Sequence, residues 1–267
     1  MNSSYAMILG VRGSVPVSTP EYSAYGGATT CIFLSLEGQP LILDAGTGIL
    51  ALPEEALKQP SLPLLLTHAH LDHLNGLAMC PYVMRQGKIL DIYASLIDGS
   101  DIQTVLERIY APPVWPVRPD QFAAALNYHP MQQEFRIGAV HVKTMDGVHP
   151  NGVKLLRLEG GGVSVVFATD CTLTESFFPH AVSFAGGCDL LLCDGQYSEE
   201  EWPTRSEYGH NMWKTAADLG KRCGAAKTLI IHHDPTHTDD VLDAAADALR
   251  AQYPTCGFAR EGEVVLL

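Results

Sequence analysis

The chain lacks any C-x-x-C pair, and its seven cysteines, at 31, 80, 171, 188, 193, 223 and 256, are odd in number and scattered. A disulfide framework or a thiolate zinc knot needs paired or closely spaced cysteines, so neither is expected, and the usage fits a reducing cytoplasm. Nowhere do about 18 apolar residues run uninterrupted. The opening MNSSYAMILGVRGS has no basic segment followed by a long apolar stretch, so neither a membrane span nor an export signal is expected. Basic residues are scarce: 17 Lys and Arg stand against 30 Asp and Glu, a formal net charge of −13, with no basic run. Phosphate neutralisation along a nucleic acid needs clustered cations, which disfavours a large RNA relative to a small substrate. What is present is a chain of 267 residues, 46% hydrophobic and 18% charged, without low-complexity segments or linkers. That is enough to bury a sizeable core as a single domain over 1–267.

Two runs of strands, each closed by helices, organise the chain. CIFLSLEGQPLILDAG, Cys31 to Gly46, alternates and turns at Glu37-Gly38-Gln39-Pro40, which predicts a hairpin, and SLPLLLTHAH is a further, more buried strand. From Leu71 the period changes, with Leu74, Leu77, Ala78 and Met84 near helical spacing, so a helix is expected there. KILDIYAS is another strand. Residues 98–131, with APPVWPVRP in their middle, form a long excursion rich in proline and aromatics, expected to be a lid or specificity insertion. The second half repeats the logic: IGAVHVKTM, a hairpin turning at Glu159 to Gly162, CDLLLCDGQY, and the strand TLIIHHD between two amphipathic helices, the second capped by Thr238. Strands and helices in both halves predict a two-sheet sandwich with helices on the outside.

The stretch LLLTHAHLDHLNG then poses a problem. Its leucines belong in a buried strand, yet His68, His70, Asp72 and His73 follow within a few residues, and buried imidazoles beside a carboxylate need partners. H-x-H-x-D-H supplies four first-row-metal ligands from one short segment, divisible between two ions. Imidazole nitrogen and carboxylate oxygen suit zinc, and also manganese, iron or cobalt; the absence of thiolates argues against a purely structural zinc.

This pattern resembles the metallo-β-lactamase fold superfamily, an αββα four-layer sandwich of two mixed β-sheets with helices on the outer faces and a two-metal site along one edge. The resemblance implies three later ligands, and DGVHPNG, VFATD and LIIHHD offer His149, Asp170 and His232 in order, with His233 as the alternative to His232. By this likeness His68, His70 and His149 hold one divalent ion, Asp72, His73 and His232 the other, and Asp170 bridges them. RGSVPV, YGGATTC, LDAGTG, PPVWPV and HHDPTHTD are most similar to a phosphodiesterase-like branch related to ribonuclease Z and the carbon–phosphorus lyase accessory phosphodiesterase. Two departures stand out: Ala28 replaces a frequent Asn, and GHNM replaces a His-Ser-Thr motif. The branch implies that Asp194, ending LLLCD, pairs with His210 of GHNM, and that Asp44 orients a metal-bound His. A carboxylate beside an imidazole raises its pKa, so His210 is a candidate proton donor to a leaving oxygen, and Asp72 is the other candidate catalytic residue.

The resemblance implies a metal-dependent hydrolase with two divalent ions, Zn2+ first, with Mn2+ or Fe as alternatives. Two such ions minus the carboxylates leave a local positive charge that attracts phosphate to an acidic protein. The expected reaction is hydrolysis of a small or cyclic nucleotide or a similar phosphodiester by a metal-activated water. The alternatives are a lactone or thioester hydrolase of the same fold, which would not need His210 and Asp194, and a metal-containing ligand sensor with little turnover. An oxygen-reducing di-iron protein of the superfamily is disfavoured, because it is expected to carry Glu where His70 stands. A homodimer is the expected assembly. Arg12 is read as either a phosphate contact or a surface salt bridge, Tyr110 and Trp115 as packing under the lid or as base-stacking groups, and His129, His141, His180, His233 and His237 receive no role.

Overall fold

The computed structural model describes residues 4–96 and 99–267. The first three residues, which open the segment without an expected export signal, lie outside the described residues, as does Asp98, the first residue of the expected lid.

The chain opens with β1 (Tyr5–Gly10) and the hairpin of β2 (Cys31–Leu36) and β3 (Gln39–Leu43). Only Glu37 and Gly38 join the hairpin, with φ of 51° and 78°, the left-handed pair that matches a tight connection to the twist of its strands. A short α1 (Glu54–Lys58) leads to β4 (Ser61–Leu65), then β5 (Ile89–Ala94), α2 (Ile102–Ile109) and β6 (Ala125–Pro130), with β3 to β6 parallel. The second half starts as an antiparallel meander of β7 (Glu134–Ile137), β8 (Val140–Gly147), β9 (Val153–Gly160) and β10 (Val163–Ala168). It continues through α3 (Phe178–Ala185), β11 (Leu190–Asp194), α4 (Trp202–Arg205), α5 (Trp213–Cys223), β12 (Lys227–Ile231), α6 (Asp239–Arg250) and β13 (Cys256–Phe258), with β10 to β13 parallel. Finally β14 (Val264–Leu266) returns to pair with β1. Two seven-stranded sheets result, ordered β14-β1-β2-β3-β4-β5-β6 and β13-β12-β11-β10-β9-β8-β7.

Alternation along each strand sorts the core into layers. In β2, Ile32, Leu34 and Leu36 face the opposite sheet while Cys31 and Phe33 face the layer under α1 and α2; in β11, Leu190 and Leu192 point inward while Leu191 and Cys193 point toward α3, α5 and α6. This is the expected αββα sandwich. Each fully buried leucine or isoleucine contributes about 1.5–3 kcal/mol, but apolar residues on both faces do not by themselves fix a central strand's register. The polar residues at the strand ends do, because a one-residue slip would draw Asp170, Asp194 or His232 into that core unpartnered.

Two expectations need correction here. The helix expected from Leu71 is not formed: the segment makes only two 3-10 turns, Leu71–His73 and Leu77–Met79. Its backbone is claimed by the β3 loop, with Ala45 N–H donating to His73 C=O and Gly76 N–H to Ala45 C=O, so the helical ladder cannot propagate, and Leu74, Leu77 and Ala78 instead plug the outer core layer. Thr238 stands at the N-cap of α6 but makes no side-chain cap bond. Part of the proline-rich excursion is built into the core. Ile102, Leu106 and Tyr110 are core residues, the Tyr110 hydroxyl donates to Leu74 C=O, and Trp115 packs edge-on against Tyr110 at 5.7 Å. Its proline-rich part, residues 111–118, is mostly exposed. Among the described residues no helix is long and apolar enough to cross a membrane.

Because β3, β4, β10, β11 and β12 belong to the parallel parts of the sheets, their carboxyl ends can share one edge. That is where open α/β sheets place ligands.

Candidate metal centre

Each candidate ligand sits where a strand stops. His68, His70, Asp72 and His73 follow β4, Asp170 follows β10, His232 follows β12, and His149 comes from the β8–β9 loop. The ligand atoms of His68, His70, His149 and Asp170 lie within 4.8 Å of one another, and so do those of Asp72, His73, Asp170 and His232. Asp170 is common to both groups. Its Oδ2 is 3.7 Å from His68 Nε2, 3.8 Å from His149 Nε2 and 3.1 Å from His232 Nε2, while its Oδ1 is 3.3 Å from His73 Nε2. All seven residues of the sequence-based set are therefore brought together. His233, the alternative to His232, is turned away: its Nε2 donates to Ala259 C=O at 3.0 Å, and burial pushes its pKa down to about 3.

A ring of outer partners decides which imidazole nitrogen faces inward. His73 Nδ1 meets Asp44 Oδ2 at 2.8 Å, His149 Nδ1 donates to Gly209 C=O at 2.9 Å, and His68 Nδ1 meets Thr67 Oγ1 at 3.1 Å. Each arrangement leaves Nε2 for the cluster. His70 is reversed, with Nε2 3.4 Å from Asn151 Oδ1 and Nδ1 3.0 Å from His149 Nε2. Fixing the tautomer through the far nitrogen is how metal-binding histidines are oriented. Asp44, fully buried, also accepts from Thr67 N–H and Thr67 O–H, both at 2.8 Å. The backbone is strained in the same place: Ser14, Asp44, Asn151, Asp170 and His232 all have φ between 50° and 64°. Of the positive-φ residues other than glycine among the described residues, only Glu37 lies elsewhere, and strain of this kind concentrates at functional sites.

Charge tests whether this donor set fits a cation. Asp44, Asp72, Asp170 and Asp194 are all buried, and every ion-pair partner they have among the described residues is a histidine. Burial alone would raise the Asp72 and Asp170 pKa values, but the surrounding imidazoles, His73 and His232 foremost, hold both well below the ordinary carboxylate range. His73 is pushed up despite its burial by Asp170, Asp72 and Asp44, whereas His68 and His149 are pushed down, by burial first. His68 and His149, neutral beside ionised carboxylates, with His68 Nε2 buried and without a hydrogen-bond partner among the described residues, are in the state a divalent ion requires, and at His73 such an ion would take the place of the proton. The residues fit two such ions sharing Asp170.

Beside the cluster, His210 Nδ1 lies 2.7 Å from Asp194 Oδ2, and its ring stacks on His232 with centroids 4.9 Å apart. Burial would lower the His210 pKa, but the charge and hydrogen bond of Asp194, with Asp170 and Asp72 behind them, raise it to about 9. Its Nδ1 being engaged, Nε2 is the nitrogen free to meet a substrate. Asp72 Oδ2 accepts from Ser14 N–H at 2.7 Å, which holds the carboxylate in place.

A family model described as the beta-lactamase superfamily domain matches residues 41–233. The chain belongs to that superfamily. Within it, similarity is to the phosphodiesterase-like branch. The probable metallo-hydrolase YhfI of Bacillus subtilis is 22% identical over 84% of this chain and 85% of its own. Its crystal structure superposes with a TM-score of 0.72 at 17% identity, covering both chains fully. A ribonuclease Z of Agathobacter rectalis is 32% identical, over 34% of this chain and 30% of that one. A diphosphatase of the PhnP family has a TM-score of 0.70 at 14% identity, over 99% of this chain and 97% of that chain.

Several residues of this superfamily member's site escape a sequence reading. Thr67, Asn151 and Ser14 touch the candidate ligands His68, His70 and Asp72 in turn, and no spacing rule singles them out. Two glycines were a usable signal: a Cβ at Gly13 would collide with the His232 ring, and one at Gly209, whose φ is 91°, with His149. Arg12 corrects both readings offered for it. It is fully buried and neither faces a substrate nor pairs at the surface; its guanidinium donates to Gly26 C=O at 2.8 Å, Asp234 C=O at 3.1 Å and His237 C=O at 2.8 Å, tying the loop before β2 to the HHDPTH turn.

Proposed function

We propose that this chain is a dinuclear metal-dependent hydrolase that cleaves phosphodiesters, with a small or nucleotide-type diester as substrate and zinc as the first-choice metal. The observation that carries this reading is the pairing of two ligand groups sharing Asp170 with a buried Asp194–His210 couple stacked directly on ligand His232. When bound, two divalent ions supply Lewis-acid activation of water and a grip on phosphoryl oxygens.

The protein groups supply the rest. Asp72, held by Ser14 N–H, accepts a proton from the attacking water, whose oxygen forms the new bond to phosphorus. His210 donates its Nε2 proton to the oxygen of the P–O bond that breaks, and Asp194 stabilises the imidazolium beforehand and orients the ring. Charged outer carboxylates need not contact the substrate for this. The thioester alternative gives no task to a raised-pKa imidazole, since a thiolate leaves without a proton, and a lactone is told apart by the substrate panels below.

A long RNA finds little to hold it on a chain of net charge −13. The test is turnover of parallel panels of phosphodiesters, lactones and thioesters by protein of known metal content. Diester turnover lost on chelation supports the reading; lactone or thioester turnover without diester turnover replaces it; and saturable binding with no turnover makes the chain a sensor.

A further inference from the structure

Next to His210 stands Tyr197, and against Tyr197 stand Tyr208 and Arg205. Tyr197 meets the His210 ring edge-on at 5.9 Å and the Tyr208 ring at 6.5 Å. The Arg205 guanidinium carbon lies 5.7 Å from the Tyr197 ring centroid and 5.6 Å from that of Tyr208. Contact is thus continuous from the proposed proton donor to a half-buried arginine held against two aromatic rings. Tyr208 is 53% exposed, so this clip opens to solvent rather than into the core.

The other cations near the site are already engaged. Arg12 is fully buried, its Nε and Nη1 given to backbone carbonyls, and Lys154 pairs with Asp146. Arg205 has no carboxylate within 4.0 Å among the described residues, although its neighbourhood in sequence is acidic. Glu201 is turned to Ser198 and His237, and Glu199 to Lys214, while Glu200 and Glu207 are exposed. Aromatic faces restrict the rotamers of an arginine and leave its planar N–H fork to an acceptor, and that fork matches phosphate oxygens in a bidentate manner. On a chain so negative overall, an arginine without a carboxylate partner, one aromatic ring removed from His210, is an attraction of the opposite sign to its surroundings.

We propose that Arg205, clipped between Tyr197 and Tyr208, is an anion subsite on the leaving-group side of His210, taking a second phosphate carried by the group that departs. The inference rests on the phosphodiesterase reading and narrows its substrate class to diesters whose leaving group is itself phosphorylated. Such a phosphate is either that of the adjacent nucleotide in an oligonucleotide or the terminal phosphate of a small bisphosphorylated diester.

The metal-loaded protein is assayed on the dinucleotide ApA and on its 3′-phosphorylated and 5′-phosphorylated forms, and on glycerophosphoglycerol with and without a terminal phosphate. One of the two phosphorylated dinucleotides is expected to gain roughly ten- to a hundredfold in kcat/KM over ApA, mostly through KM, the range of a charge-assisted hydrogen bond. In Arg205→Gln that ratio falls to about one, and in Arg205→Lys it is partly kept, with metal content the same as wild type. A matching gain in the glycerol pair assigns the subsite to small diesters, and a gain confined to the nucleotide pair assigns it to oligonucleotides. No gain in either pair, or a gain that survives in Arg205→Gln, overturns the proposal.

A second readout needs no turnover. Adenosine 3′,5′-bisphosphate is expected to bind wild type at least tenfold more tightly than adenosine 5′-monophosphate, and the difference is expected to vanish in Arg205→Gln. If no diester is turned over but this difference holds, the phosphodiesterase reading falls and the subsite stands. If diesters are turned over and the difference is absent, the subsite falls and the reading stands.

Discussion

Replacing His210 by alanine separates proton donation from the rest of the proposed chemistry. The His210 side chain is 10% exposed, with Nδ1 2.7 Å from Asp194 Oδ2 and a pKa raised to about 9, so it is poised as a protonated imidazole in the metal-free protein. General acid catalysis is worth about 10²- to 10⁴-fold, or roughly 3–5 kcal/mol of barrier at one decade per ~1.4 kcal/mol. That loss belongs to substrates whose leaving oxygen needs the proton, such as an alkyl or nucleoside diester. A nitrophenyl diester, whose leaving group departs as an anion, should lose far less. Asp194→Asn should show the same ordering more mildly, because the ring remains but its imidazolium is no longer stabilised. The assay is steady-state kinetics on both substrate types with metal content measured on the same samples, and metal content is expected to stay at the wild-type value. Equal losses on the two substrates would refute proton donation and leave His210 a positioning group. No loss on either would make it a bystander.

Asp44→Asn keeps the shape of the partner on His73 Nδ1 but removes its charge, and metal affinity should fall by about 10- to 100-fold, read by chelator competition. A loss confined to folding stability, with affinity intact, would contradict the orienting role. Shortening residues 111–118, which we propose as the part of the excursion able to act as a lid, should weaken discrimination among diesters and leave metal content intact; loss of metal would make the segment part of the core. On β5, burial would raise the Asp91 pKa, but Ser61, His129 and Asn127 lower it below its ordinary value. Its stabilisation is therefore complete above the ordinary carboxylate pKa and is lost as pH falls through the depressed folded value. The thermal midpoint advantage of wild type over Asp91→Asn should shrink across that acidic range, and an advantage independent of pH would contradict the charge argument.

The sandwich was legible because its signals are local: the apolar runs of β2 and β11, the Glu37-Gly38 turn, and the amphipathic spacing of α5 and α6. The candidate ligand set was legible for a different reason. H-x-H-x-D-H concentrates chemistry at one strand end, and resemblance supplied the order of the remaining ligands. Where periodicity misled, at Leu71 to Met84, the competing force was long-range: backbone bonds to the β3 loop replaced the helical ladder, which no local pattern reports. Arg12 misled in the same way. A glycine-flanked arginine near the start of the chain resembles a phosphate contact, but three carbonyls distant in sequence bury it. Choosing His232 over His233 likewise required geometry, since both follow the same strand and only the turn into φ of 63° at His232 separates their directions.

The central claim is that two divalent ions share Asp170, and elemental mass spectrometry under saturating zinc, manganese or iron tests it most directly, on wild type and on Asp170→Asn. The account predicts two metal ions per wild-type chain and a loss from both positions in the variant, because its carboxylate reaches members of both ligand groups. A wild-type stoichiometry that stays at one metal per chain would contradict it.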